Sequence, residues 1–188
     1  MDVTLPTAAF AGVRPPRYTR TAIALHGLLA LLIVGNLALG LYMSGLSFSM
    51  TRLKLYNWHK WAGAVILALS ALRLLWRLTH RPPANAPMPA WQRQAARGTH
   101  LLLYGLFFAV PLAGWAYSSA AGFPVVVFGV LPLPDWVGVD RELATLLKPL
   151  HKWLALSLAA LVGLHVAAAL KHHFVNRDGL LLRMWPGR

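Results

Sequence analysis

Apolar residues gather along the chain into four long runs, at about residues 21–46, 58–78, 100–121 and 146–175. Each meets or exceeds the roughly 20 residues that a helix needs to cross a bilayer. Backbone groups in lipid have no water to bond, so a lone run of this kind satisfies itself as a helix. The pattern predicts four transmembrane helices and an all-α, integral membrane four-helix bundle, one domain over residues 1–188. The breaks between runs carry their own signals. SFSMTRLKLY is a short connection after the first run, and RPPANAPMPAW after the second holds too many prolines to be helical throughout. GFPVVVFGVLPLPDW, in the connection at about 122–145, is too interrupted by glycine and proline to span and is expected to cap that surface. Pro111 and Gly114 fall inside the third run, where a kink is expected. There is no internal repeat, low-complexity tract or soluble domain.

Composition agrees with the pattern. The chain is 57% hydrophobic and only 12% charged, against about 25% charged for an ordinary soluble domain. The net charge of +13 is uneven. The N-terminal tail, the 2–3 connection and the C-terminal tail carry Arg14, Arg17, Arg20, Arg73, Arg77, Arg81, Arg93, Arg97, Lys171, Arg177, Arg183 and Arg188 against Asp2 and Asp178. The other two connections carry Arg52, Lys54, Lys60, Arg141, Lys148 and Lys152 against Asp135, Asp140 and Glu142. The positive-inside rule then places both termini in the cytoplasm. These charges flank spans and form no patch on a polar domain, so nucleic acid is not expected as a partner; membrane lipid is. MDVTLPTAAF has no basic start, and arginines come just before the first run, the order of an uncleaved signal anchor. Most of the eight tryptophans fall near the ends of runs, as in an interfacial aromatic belt.

Against this background four histidines stand out. His26, His59, His151 and His165 lie inside apolar runs, where an ionisable group is costly. His151 and His165 are 14 residues apart on one run, close to four turns and roughly 21 Å along a helix axis, so they share a face near opposite membrane surfaces. Topology sets His59 at the depth of His151 and His26 at the depth of His165. Two bis-histidine sites at different depths follow. A single intramembrane histidine reads equally well as a helix–helix hydrogen bond; four at matched depths outweigh that reading.

The ligand inventory narrows what two histidines can hold. Without cysteine, disulfides, iron–sulfur clusters and covalently attached c-type haem are excluded. Zinc takes more protein ligands, commonly with carboxylate or thiolate, and none lies at these depths. Haem b needs only two axial ligands, an apolar slot and cations for its propionates. Two haem b groups are therefore expected, with Gly27, Gly35, Gly63 and Gly163 offering room, and with Lys60, Lys148 and Lys152 outside and Arg17, Arg20, Arg73 and Arg77 inside as propionate or anion partners. Iron saturated by two imidazoles favours electron transfer over ligand binding. Other residues read two ways. His100 has no depth-matched partner left and is either an interfacial residue or a quinone or propionate contact. His172, beside His173, is either a solvated helix end or a hydrogen-bond donor to a quinone. Arg73 also reads as a snorkelling side chain, and His80 as a loop residue.

WHKWAG in the second run, LHKWLALSLAALVGLHVAAALKHHF in the fourth and the terminal LLRMWP resemble the bacterial cytochrome b561 family, over about Tyr18 to Pro186. The resemblance implies a four-helix, di-haem cytochrome of the bacterial inner membrane with His26, His59, His151 and His165 as haem iron ligands. Some members are similar to superoxide oxidases, which pass electrons from periplasmic superoxide through both haems to ubiquinone. It further implies a quinone site near the cytoplasmic haem, with His100, His172 and His173 as candidates, while Lys54, Lys60, Arg141 and Lys148 are placed to guide a small anion. The expected function is electron transfer across the inner membrane between a periplasmic donor, superoxide among the candidates, and the ubiquinone pool: an oxidoreductase of the superoxide:ubiquinone type. The alternatives are a b-type electron-transfer subunit serving a protein partner, and a non-redox haem-binding or proton-linked membrane protein.

Overall fold

A computed structural model of the chain describes residues 17–84 and 88–185. Arg14, Arg188 and Asp2 of the charge argument, and Pro186 of the terminal motif, lie outside the described residues. Four long helices dominate: α1 Arg20–Ser44, α2 Met50–Thr79, α3 Ala90–Ala120 and α4 Arg141–Lys171. Each is long and apolar enough to cross a membrane, as the sequence pattern predicts. Every helix has a local reason to start. Thr19, Ser49 and Asp140 cap α1, α2 and α4 by accepting the backbone N–H of Ala22, Arg52 and Leu143, and Pro89 precedes α3.

Three helices begin earlier than hydropathy alone predicts, α2 at Met50, α3 at Ala90 and α4 at Arg141. The apolar runs mark only the lipid-facing stretch; caps and good helix formers carry each helix into the polar zone. Pro111 lies within an uninterrupted α3 and Pro149 within α4. Pro111 has no N–H to give the Phe107 carbonyl, a loss the surrounding bundle tolerates. At its far end α4 widens into a π-helical turn, His172–Asn176, closed by Arg177 in the left-handed conformation.

α3 packs chiefly on α4 and α1 chiefly on α2, and α2 with α3 joins the two halves. One cluster of buried residues draws on all four helices: Leu29 and Ile33, Ile66, Leu103 and Leu158. Leu158 falls seven residues from both His151 and His165, so this plug sits between the two histidine depths. Leu31, Leu41, Leu75, Leu78, Leu101 and Leu164 are exposed on the outside of the bundle, where lipid replaces water as the solvent.

The connection after α3 turns at Gly122, whose φ of +78° is open to glycine at little cost. It then forms a short antiparallel hairpin, β1 Val126–Val127 and β2 Leu131–Pro132, which hydropathy did not reveal. Lys60 Nζ donates to the Pro124 carbonyl at 3.0 Å, Trp61 Nε1 to the Val126 carbonyl at 2.6 Å, and Ser119 Oγ to Asp135 at 2.7 Å. These bonds fasten the connection over one end of the bundle. At the opposite end the chain after α4 folds back. Arg183, only 6% exposed, donates to the Ala84 carbonyl, while its own carbonyl accepts the Tyr18 N–H at 3.2 Å. The Arg17 guanidinium donates to the Trp185 carbonyl. The terminal motif thus ties the start of α1 to the α2–α3 connection.

Candidate functional site

His59 lies in the third turn of α2 and His151 in the third turn of α4. Their rings face each other with centroids 6.1 Å apart and planes at 84°. At the other depth His26 of α1 and His165 of α4 also stand 6.1 Å apart, with planes at 79°. The structure therefore brings together the same pairs that depth and direction select in the sequence.

The spacing permits a quantitative fit. An imidazole nitrogen bonds a transition metal at about 2.0–2.1 Å and lies about 1.1 Å from its ring centre, so two rings sharing one metal stand about 6 Å apart. Both pairs meet this value. Among the described residues no three His, Asp or Glu side chains converge closely enough to hold an ion, so an iron whose other ligands come with a macrocycle suits the donor set. The second nitrogens are informative. His151 Nδ1 lies 3.0 Å from the Val110 carbonyl; since a carbonyl only accepts, Nδ1 carries the proton and Nε2 keeps its lone pair for a metal. His59 Nδ1 and Asn36 Oδ1 are buried without a hydrogen-bond partner, although Asn36 Nδ2 donates to the His59 carbonyl at 3.4 Å. Buried polar atoms without a partner call for one, and Asn36 and His59 both line a cavity.

That cavity is large. About 990 Å³ opens around His59 and His151, walled by Asn36, Phe107, Pro111, Ala155 and Leu158, with Lys148 at its edge. Two glycines make room for the imidazoles. A Cβ on Gly114 would stand 2.8 Å from His151 Cε1, and one on Gly40 would stand 3.1 Å from His59 Cε1. Gly40 and Gly114 were not among the glycines singled out in the sequence as offering room; a Cβ on Gly27, Gly35 or Gly163 would enter open space, and one on Gly63 would meet only the Asn36 amide at 4.0 Å. A helical-wheel projection from the histidines onto neighbouring helices is the signal that would have singled out Gly40 and Gly114.

The inner pair has additional company. His100, without a depth-matched partner in the sequence argument, stands with its ring centroid 5.4 Å from that of His165. This is tighter than two rings sharing a metal, so His26 is the better counterpart of His165. Arg73 donates from Nη1 to the Ala22 carbonyl at 3.1 Å, which holds its guanidinium inward beside the first turn of α1. Arg77 lies further along α2, exposed. Lys152 is exposed, and Lys60 lines the cavity while its Nζ donates to the Phe123 and Pro124 carbonyls of the capping connection. His172 lies apart from the pairs; its Nδ1 meets Asp178 Oδ2 and Asn176 Nδ2. Partial burial pushes the Asp178 carboxyl up, but hydrogen bonds from His172 and the Leu180 N–H outweigh it and hold the group below the usual carboxylate range. The His173 ring rests against Phe174.

Known proteins resemble the chain in sequence, two of them along nearly its whole length. The sequence model described as prokaryotic cytochrome b561 matches residues 17–187. "Cytochrome b561 homolog 2" of Escherichia coli (strain K12) is 38% identical over 174 residues, 90% of this chain and 92% of that protein. "Cytochrome b561 homolog 1" of the same organism is 34% identical over 181 residues, covering 92% and 98%. "Probable superoxide oxidase CybB" of Yersinia pestis is 36% identical over 129 residues, covering 68% and 73%. With four spanning helices, facing histidines at two depths and this likeness over its length, the chain belongs to the prokaryotic cytochrome b561 family of membrane electron-transfer proteins, which carry b-type haem.

Proposed function

We propose that the chain binds two haem b groups and carries electrons across the bacterial inner membrane, both termini cytoplasmic, between a periplasmic donor and the ubiquinone pool. The observation that carries the reading is the pair of 6.1 Å histidine separations at two depths of one bundle. His59 with His151 would hold one haem and His26 with His165 the other. When bound, such a haem supplies a six-coordinate iron that exchanges single electrons. The protein's own part is to orient and to exclude. The Val110 carbonyl fixes the tautomer and angle of His151. Gly40 and Gly114 let both imidazoles seat against neighbouring helices. The Leu29–Leu158 plug keeps water out between the two depths. Lys60, Lys148, Lys152, Arg73 and Arg77 are candidates for propionate or anion contacts, and His100, His172 and His173 for the quinone.

Superoxide is the favoured donor because a relative that shares most of this chain's length is named a probable superoxide oxidase. The outer connections carry a modest positive excess, which attracts a small anion. Mixing the oxidised, haem-loaded protein with superoxide and a ubiquinone analogue in a stopped-flow instrument tests the assignment. Fast absorbance changes of b-type haem, followed by catalytic quinone reduction, are expected. Slow or absent change contradicts the superoxide assignment and favours a protein donor.

A further inference from the structure

A second, smaller pocket of about 150 Å³ opens at the end of the bundle where α1 begins and α2 ends. Four arginines line it, Arg17, Arg73, Arg77 and Arg81, with no carboxylate lining it among the described residues. We propose that this pocket binds the phosphate of an anionic phospholipid. Arg73 and Arg77 also stand among the propionate candidates of the inner haem, whereas Arg81 does not, so haem retained in Arg81→Gln keeps the two assignments distinguishable.

Size comes first. The volume equals about five water molecules of liquid, too little for a macrocycle and enough for a phosphate with its ester oxygens. Charge is next. Arg77 and Arg81 make no hydrogen bond or ion pair among the described residues, so their forked donors remain for a ligand. Arginine grips phosphate with two parallel bonds, which lysine cannot do. The walls are fixed in place. Trp76 donates from Nε1 to the Thr19 hydroxyl at 3.0 Å and stacks on His80 with ring centres 3.7 Å apart, and Arg73 is pinned to the Ala22 carbonyl.

The remaining lining argues for a lipid over a soluble anion. Leu25, Pro82, Pro83 and Met184 place apolar surface beside the arginines, and Leu75 and Leu78 on the same stretch of α2 are exposed toward lipid. Trp91 and Trp185 are also exposed near this end, as in an interfacial belt. A cationic mouth with an apolar wall, set at the headgroup level between helices, matches a phospholipid whose chains continue into the bilayer.

Titration of the full-length, haem-loaded protein with phosphatidylglycerol or phosphatidylcholine, read by native mass spectrometry and by melting temperature, tests this. Phosphatidylglycerol is expected to be retained preferentially and to raise the melting temperature. Arg77→Gln with Arg81→Gln should weaken its binding by about thirtyfold, the usual worth of a basic residue at an anionic surface applied twice. Arg93→Gln, which removes one positive charge, as Arg81→Gln does, from the start of α3 outside the pocket, should change it less than twofold. Should the double variant not fold, Arg81→Gln alone is expected to weaken binding about fivefold. Equal retention of both lipids overturns the proposal, as does a loss in Arg93→Gln matching that of the pocket variants. Inorganic phosphate that protects as well as phosphatidylglycerol at equal concentration also overturns it, in favour of a soluble anion.

Discussion

Gly114→Ala is a one-carbon probe of the outer site. The new Cβ would lie 2.8 Å from His151 Cε1, 3.0 Å from Nδ1 and 3.5 Å from Nε2. Carbon atoms rest at about 3.5–4.0 Å, so the ring must retreat by about 0.7 Å or more. It has little freedom to do so, because Nδ1 is bonded to the Val110 carbonyl on the same helix, α3. Overpacking of this kind costs about 1–3 kcal/mol, and replacing glycine by alanine within a helix returns about 0.8–1.0 kcal/mol. The net loss of about 0–2 kcal/mol leaves a protein of ordinary stability folded. For a metal–nitrogen bond of about 2 Å the same displacement is a third of the bond length. The expected product is a folded protein that lacks the outer haem, with roughly half the wild-type haem per chain by the reduced pyridine adduct. Gly40→Ala, with 3.1 Å to His59 Cε1, needs a shift of only a few tenths of an ångström and should lose less. Gly105→Ala meets nothing within 4 Å and should keep its full haem content. A Gly114→Ala protein with unchanged haem content and an unchanged low-spin spectrum would mean that Gly114 does not seat His151 at the metal.

Other predictions probe the pairs and the two ends of the bundle. Alanine at His59 or at His151 should remove the same spectral component, and alanine at His26 or at His165 the other; any cross-pairing contradicts the ligand assignment. Arg183→Ala deletes a charged hydrogen bond to the Ala84 carbonyl, worth about 1.5–3 kcal/mol, and should lower the melting temperature while leaving haem content intact; a variant as stable as the parent removes the terminal clamp from the account. Asp178, held below its ordinary pKa by the His172 contact, contributes stability above the unfolded carboxylate value of about 3.9 and loses it as the pH falls through its lower folded value. Asp178→Asn should therefore melt below the parent at pH 7 and converge with it in strong acid, and a gap that persists at low pH contradicts that assignment.

How much was legible in the sequence follows from what each signal measures. Hydropathy measures the lipid-exposed stretch, so it found four spans but started α2, α3 and α4 too late; Ser49 and Asp140, both capping residues, were the missed cues. The pairs His59–His151 and His26–His165 were legible because depth and helix direction fix which side chains can meet, whatever the rotation of each helix. Rotation is what the sequence withholds. It decides that Gly114 and Gly40, rather than Gly27 or Gly35, face imidazoles, and that His100 falls beside His165. Long-range partners were equally hidden. Nothing local marks Lys60 and Trp61, the neighbours of His59, as anchors for carbonyls more than sixty residues away. Nor does the terminal motif announce that Arg183 reaches back to Ala84.

If the two facing pairs each hold one haem b, the purified protein carries both. The most direct measurement is the haem content and reduced-minus-oxidised spectrum of the purified protein from haem-replete cells. Low-spin b-type bands at about two haems per chain are expected. A colourless preparation, or one haem per chain that survives loss of either pair, contradicts the assignment of one haem b to each pair.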